Sequence, residues 1–194
     1  MKKRIGLFFG TFNPVHIGHL ILANHLLQYS DLSEIWMVVT PHNPFKKKSS
    51  LLNNQYRYDM VWQLCEEYPG IRPSDIEFNL PQPNYTVTTL AHLEDKYPQY
   101  DFSLIMGEDN LKSFPKWKNY EVILERYQIL VYPRYSEGET HSELLDHPKV
   151  SVIDAPRIEI SSTFIRKAIK EGKDVRPLLP PMVWKYIDEM NFYR

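Results

Sequence analysis

The sequence predicts an α/β fold, a mostly parallel β-sheet with helices on both faces. Short, nearly continuous apolar runs, typical of strands buried on both sides, alternate along the chain with segments of helical periodicity. The junctions between them carry glycine, proline and hydroxyl residues where strands end and helices begin. Strands joined through helices pair in parallel by right-handed crossovers, and ligands in such folds bind beyond the carboxyl ends of the strands.

The first strand is residues 4–9, closed by Gly10, and Ile17, Leu20, Ile21, Ala23, Leu26 and Leu27 follow with helical spacing. Residues 34–40 form a second buried strand. A loop at Pro41 and Pro44 leads into a helix through Tyr58, Val61, Trp62 and Cys65 that stops near Pro69-Gly70. Residues 71–80 read as a strand weakened by Pro73, and residues 86–97 as a helix stopped by Pro98. Strands at 102–106, 127–132 and 150–153 follow, with a helix at 116–125 before the second of them. The last helices are 161–171, ended by a left-handed Gly172, and 181–190. Residues 133–149 are the one loop-like insertion.

A chain of 194 residues, 43% hydrophobic and 24% charged, fits a single domain over 1–194 with a substantial core. The formal charge of −1 supplies no overall field for nucleic acid or a membrane surface, so an anion site must be local. No run approaches the ~20 apolar residues of a membrane span, and no leader pattern follows Lys2-Lys3-Arg4; the expectation is a cytoplasmic protein. The lone Cys65 rules out an intrachain disulfide and a multi-cysteine zinc site, and it reads as packing. Homo-oligomerisation is left open by the sequence.

Gly10-Thr11-Phe12-Asn13-Pro14-Val15-His16-Ile17-Gly18-His19 follows the first strand and opens the first helix, where backbone N–H groups and the helix dipole favour an anion. Gly10 permits close approach of a phosphate to the backbone. His16 and His19, three apart, can face one side of the helix, with Gly18 leaving room between them. Taken alone, the pair equally suits one capping and one packed histidine. The spacing lacks the Glu of a His-Glu-x-x-His site, and no third ligand with metal spacing is nearby. Near the other end of the chain, Ile160-Ser161-Ser162-Thr163-Phe164-Ile165-Arg166 opens a helix with three hydroxyl residues, which can cap it or meet phosphate oxygens.

The first run resembles the nucleotidyltransferase signature of glycine, a small hydroxyl residue, Phe, Asp or Asn, Pro, then His-x-Gly-His, and the second resembles the same superfamily's Ile-Ser-Ser-Thr-x-Ile-Arg element. The resemblance implies a Rossmann-like fold. It makes His16, His19 and Arg166 the residues that stabilise charge on a leaving pyrophosphate, with Gly10, Thr11, Phe12, Gly18, Ile160, Ser161, Ser162 and Thr163 binding ATP. Asn13 stands where many relatives have Asp. Lys46, in the loop after the second strand, matches the family's phosphate-facing lysine, with Lys47 and Lys48 solvated. A magnesium ion (Mg2+) is implied, held mainly through the ATP phosphates.

Three further segments resemble the nicotinate mononucleotide adenylyltransferases within that superfamily. They are Asn84-Tyr85-Thr86-Val87-Thr88-Thr89-Leu90, Gly107-Glu108-Asp109-Asn110-Leu111 with the later Phe114, Trp117 and Ile123-Leu124, and Arg134. That resemblance implies adenylyl transfer from ATP to nicotinate mononucleotide. Gly107 and Asp109 would hold the adenosine ribose; Trp117 would stack on the pyridine ring; backbone at Thr86 and Lys118 would meet its carboxylate; Tyr85 and Arg134 would complete the acceptor side. Glu108 replaces a usually small residue, and the Arg-Pro-Gly sequel at Arg134 is absent. Transfer to phosphopantetheine, and a non-catalytic nucleotide sensor, are the alternatives.

Overall fold

A computed structural model describes residues 2–41, 51–134 and 143–194. Six strands form one wholly parallel sheet in the order β3-β2-β1-β4-β5-β6: β1 (Lys3–Gly10), β2 (Glu34–Val39), β3 (Ile71–Ser74), β4 (Tyr100–Gly107), β5 (Gln128–Tyr132) and β6 (Val150–Val152). This is the doubly wound order, with its reversal between β1 and β4. The carboxyl ends of those two strands, Gly10 and Gly107, flank the switch point.

Among the described residues, α1 (Ile17–Tyr29), α2 (Asn54–Glu66), α3 (Thr86–Lys96), α4 (Glu108–Ser113) and α5 (Tyr120–Arg126) connect strands, and α6 (Ser162–Lys170) and α7 (Pro181–Glu189) follow the last strand. Alternation along the strands sends successive side chains to opposite faces. Ile35, Met37 and Val39 of β2 join a core with Leu26, Met60, Leu64, Ile165 and Val183 from α1, α2, α6 and α7. Trp36 and Val38 turn the other way, to Leu90, Leu93, Leu111 and Ile123 from α3, α4 and α5. Cys65 lies in the first of these cores, and its thiol pKa is pushed up to about 12, by burial first and by Glu66 second.

Several boundaries depart from the sequence pattern for local reasons. β3 stops at Ser74 and not near residue 80, because 76–79 turn back so that Ile76 and Glu77 are buried. Pro73 is tolerated because β3 is an edge strand, paired only with β2. The helix expected at 116–125 begins at Tyr120, since Pro115 sits in a 3-10 turn (Phe114–Lys116) and Asn119 takes a left-handed φ of 51° at the cap. Gly172, with φ 68°, ends α6 as its sequence position implies. Among the described residues no helix is long and apolar enough to cross a membrane.

Candidate active site

The carboxyl ends of the strands open into a cavity of about 640 Å³. Gly10, Thr11, Phe12, Gly18, His16 and His19 from the first motif line it, together with Ile160, Ser161, Ser162, Thr163 and Arg166 from the second. Tyr85, Thr86, Asp109, Trp117, Lys118 and Arg134 line the same cavity. Gly107 stands just behind the wall, where a Cβ would lie 2.6 Å from Asp109 Oδ1. Lys46, with Lys47 and Lys48, lies outside the described residues, as does 135–142 of the predicted loop.

The first motif turns sharply before its helix: Phe12 has φ 43° and its ring is buried, edge-on to His19 at 5.1 Å. A Cβ on Gly10 would lie 2.8 Å from that ring, so the glycine is what lets Phe12 fold under the strand end. His16 is the N-cap of α1 and His19 its third residue, and the rings stack at 3.7 Å between centroids. His19 Nδ1 accepts the His16 backbone N–H at 3.2 Å, which leaves the neutral ring's proton on Nε2. One geometry thus serves both readings of the pair: the His19 ring nitrogen takes the backbone donor of the helix's N-cap while both rings border the cavity. A Cβ at Gly18 would come within 3.1 Å of the His16 ring and of Ile158.

His16 is only 5% exposed, and its Nδ1 has no hydrogen-bond partner among the described residues. Burial first, and the Arg134 guanidinium second, lower its pKa to about 4. At pH 7 the ring is therefore a neutral group.

The second motif is tied directly to the first. Ser161 caps α6 by accepting the Phe164 N–H at 3.2 Å, Ser162 Oγ donates to the Pro14 carbonyl at 2.9 Å, and Arg166 Nη1 donates to the Asn13 carbonyl at 2.8 Å. Asn13 is a structural crosslink: its Oδ1 accepts from Leu52 N–H at 3.3 Å and from the Tyr193 hydroxyl at 2.8 Å. An amide suffices at this position.

At the other end, α3 begins at Thr86 with Tyr85 as N-cap, and the Tyr85 carbonyl takes the N–H groups of Thr88 and Thr89. The Lys118 ammonium lies 4.4 Å from the centre of the Tyr85 ring, placing a cation beside the helix start. Trp117 is half-buried, edge-to-face with Phe114 at 5.3 Å, and also borders the cavity. The two departures noted in the sequence meet here: Glu108 Oε2 accepts the Arg134 backbone N–H at 3.3 Å, and Arg134 pairs with Asp109 at 3.2 Å.

Sequence reasoning missed three residues that shape the site. Glu77 and Asn84, both buried, line the cavity near Tyr85, and Thr89 Oγ1 donates to Glu77 Oε1 at 2.7 Å while Asn84 Nδ2 donates to the Glu77 carbonyl at 3.1 Å. Burial raises the Glu77 pKa, and hydrogen bonds from Thr89 and Thr40 pull it back. Arg57 is wholly buried behind the first motif and donates to the carbonyls of Thr11 and Thr40. Glu77 falls in the stretch read as a strand, Arg57 in a helix where arginine reads as a solvated charge, and Asn84 in the quoted segment without a role of its own; their burial comes only from folding.

Residues 7–168 match the cytidylyltransferase-like family. A protein of Christiangramia forsetii named probable nicotinate-nucleotide adenylyltransferase is 64% identical over 194 residues, covering the whole of both chains. One of the same name from Bacteroides fragilis is 48% identical over 96% of this chain and 92% of its own. The fold resembles that of Plasmodium falciparum nicotinic acid mononucleotide adenylyltransferase complexed with NaAD, with a TM-score of 0.80 at 21% identity over 98% of this chain and 97% of that one. The chain belongs to the cytidylyltransferase-like family and, within it, to the nicotinate-nucleotide adenylyltransferases.

Proposed function

We propose that this chain transfers the adenylyl group of ATP to nicotinate mononucleotide, giving nicotinate adenine dinucleotide and pyrophosphate. The supporting observation is one continuous cavity that joins the two histidines and Arg166 at one end to Trp117, Thr86 and Lys118 at the other. Two nucleotides bound end to end would bring the acceptor phosphate against the α-phosphorus of ATP. An oxygen of that phosphate attacks phosphorus, the bond to the β-phosphate oxygen breaks, and the electron pair leaves with pyrophosphate. The attacking group is already an anion, so no carboxylate base is needed. What the reaction requires is positioning, together with donors placed where negative charge accumulates.

His19 offers its Nε2–H and His16 a neutral imidazole, beside the first N–H groups of α1 and the Arg166 guanidinium. A divalent ion carried in with the nucleotide would be held mainly by the ATP phosphates, beside His19 and Arg166. Its charge would add to that of the Arg166 guanidinium where pyrophosphate departs. At the acceptor end, the α3 N-terminus and the Lys118 ammonium favour a carboxylate over a neutral amide.

Pyrophosphate release tests the reading. With ATP and magnesium, nicotinate mononucleotide should give pyrophosphate and a dinucleotide of the expected mass, whereas phosphopantetheine and ATP alone should give neither. Release with phosphopantetheine only would assign the chain to that acceptor, and ATP binding without release for any acceptor would make it a sensor.

A further inference from the structure

Arg57, in the first turn of α2, has 0% exposure, yet none of the ion pairs formed by the described residues involves it. All five of its N–H donors are used: Nε on the Leu52 carbonyl at 3.0 Å, Nη1 on the carbonyls of Thr11 and Thr40, the latter at 2.9 Å, and Nη2 on the Pro41 carbonyl at 3.1 Å and on Asn54 Oδ1 at 2.7 Å. Every acceptor is uncharged. Burial lowers its pKa to about 10, and at neutral pH the group is still a cation.

A buried charge normally sits beside its counter-ion, because hydrogen bonds to neutral groups replace hydration but leave the field uncancelled. Here the field emerges through the backbone of Thr11 and Thr40, both of which line the cavity. Thr11 belongs to the motif that faces ATP in the reading above, on which this inference rests. We propose that Arg57 is a positioning residue whose counter-ion is the polyphosphate: its fork draws the Thr11 and Thr40 carbonyls inward, away from the anion, and its uncancelled charge stabilises the phosphates across one layer of backbone. A solvent-exposed lysine could not do this as well, since water screens it.

A purely structural arginine and a buried counter-ion differ in one respect. Loss of the first weakens all ligands alike, while loss of the second weakens them in proportion to ligand charge. The test is isothermal titration of the full chain with adenosine, AMP and ATP, each alone and without divalent ion so that ligand charge rises along the series, for wild type, Arg57→Gln and Arg57→Lys. The expected result for Arg57→Gln is a loss of ATP affinity about tenfold or more beyond the loss for adenosine, with AMP between them. Arg57→Lys, which keeps the charge but not the fork, should hold the wild-type ATP-to-adenosine ratio within about threefold even if its Tm falls. Equal losses for adenosine and ATP in Arg57→Gln, or an Arg57→Lys ratio that drops tenfold, would overturn the proposal. Should Arg57→Gln fail to fold, Arg57→Met, also uncharged and of similar reach, takes its place in the same comparison. A wild-type protein that binds no ATP with or without magnesium would instead defeat the functional reading on which the inference stands.

Discussion

At pH 7 the His16 ring belongs to the cavity wall as a neutral group, and that protonation state has a consequence for stability. Below pH ~6.5 the unfolded chain takes up a proton that the folded chain refuses until about pH 4. The contribution is therefore fully present above the unfolded value and is lost as pH falls towards the folded one. Between pH 7 and pH 5 it amounts to about 2 kcal/mol. Urea denaturation should show wild type losing roughly that much more than His16→Asn over this interval, whereas parallel pH slopes would show that the ring is not buried neutral. Trp117 presents a different question, because it both packs on Phe114 and borders the cavity. Stacking on a base contributes ~1–3 kcal/mol, so Trp117→Ala should raise the KM for the pyridine mononucleotide about tenfold or more and leave that for ATP nearly unchanged. Equal losses, or a collapse of Tm, would mean that the ring is a core anchor only.

The elements show why some of the structure was legible in the sequence and some was not. The strands of the sheet centre are apolar on both faces, so β1, β2, β4 and β5 stand out as runs, and α6 announces itself through Ser161 and Gly172. Six-residue α4 is too short to display a period, and the end of β3 is set by the burial of Ile76 and Glu77, which no local rule reports. Arg57 was invisible for a related reason: an arginine in a helix reads as a solvated charge, and its acceptors are brought together from Thr11, Thr40, Pro41, Leu52 and Asn54 only by folding. The C-terminal tail is another such case. Beyond α7, the half-buried Tyr193 sends its hydroxyl to Asn13 Oδ1, closing the chain's end onto its first motif. Tyr193→Phe removes that bond but leaves Leu52 N–H on the same oxygen, so the expected cost is about 1 kcal/mol by urea denaturation. A loss several times larger would show that the tail depends on the hydroxyl for its docking.

Across the whole molecule, a formal charge of −1 conceals a strong internal asymmetry. Lys116, Lys118, Arg134 and Arg166 border one cavity, and Arg57 lies behind its wall, while of the two carboxylates there, Asp109 is paired with Arg134 and Glu77 is buried. The positive charge is concentrated locally and does not come from the near-neutral total. This polarity is built by topology: the two motifs lie far apart in sequence, yet Ser162 reaches the Pro14 carbonyl and Arg166 the Asn13 carbonyl because β1 occupies the middle of the sheet and α6 packs against the core on one of its faces. The same arrangement sets the α3 N-terminus and the Lys118 ammonium side by side at another part of the cavity wall.

The most direct test of the account is a competition between nicotinate and nicotinamide mononucleotides for limiting ATP, with the two dinucleotide products separated and quantified to give the ratio of kcat/KM. A neutral amide loses the charge-assisted hydrogen bonds of ~1.5–3 kcal/mol and turns an NH2 towards donors, so the acid product should exceed the amide product by roughly 10–100-fold. Equal amounts, or an excess of the amide dinucleotide, would contradict the assignment.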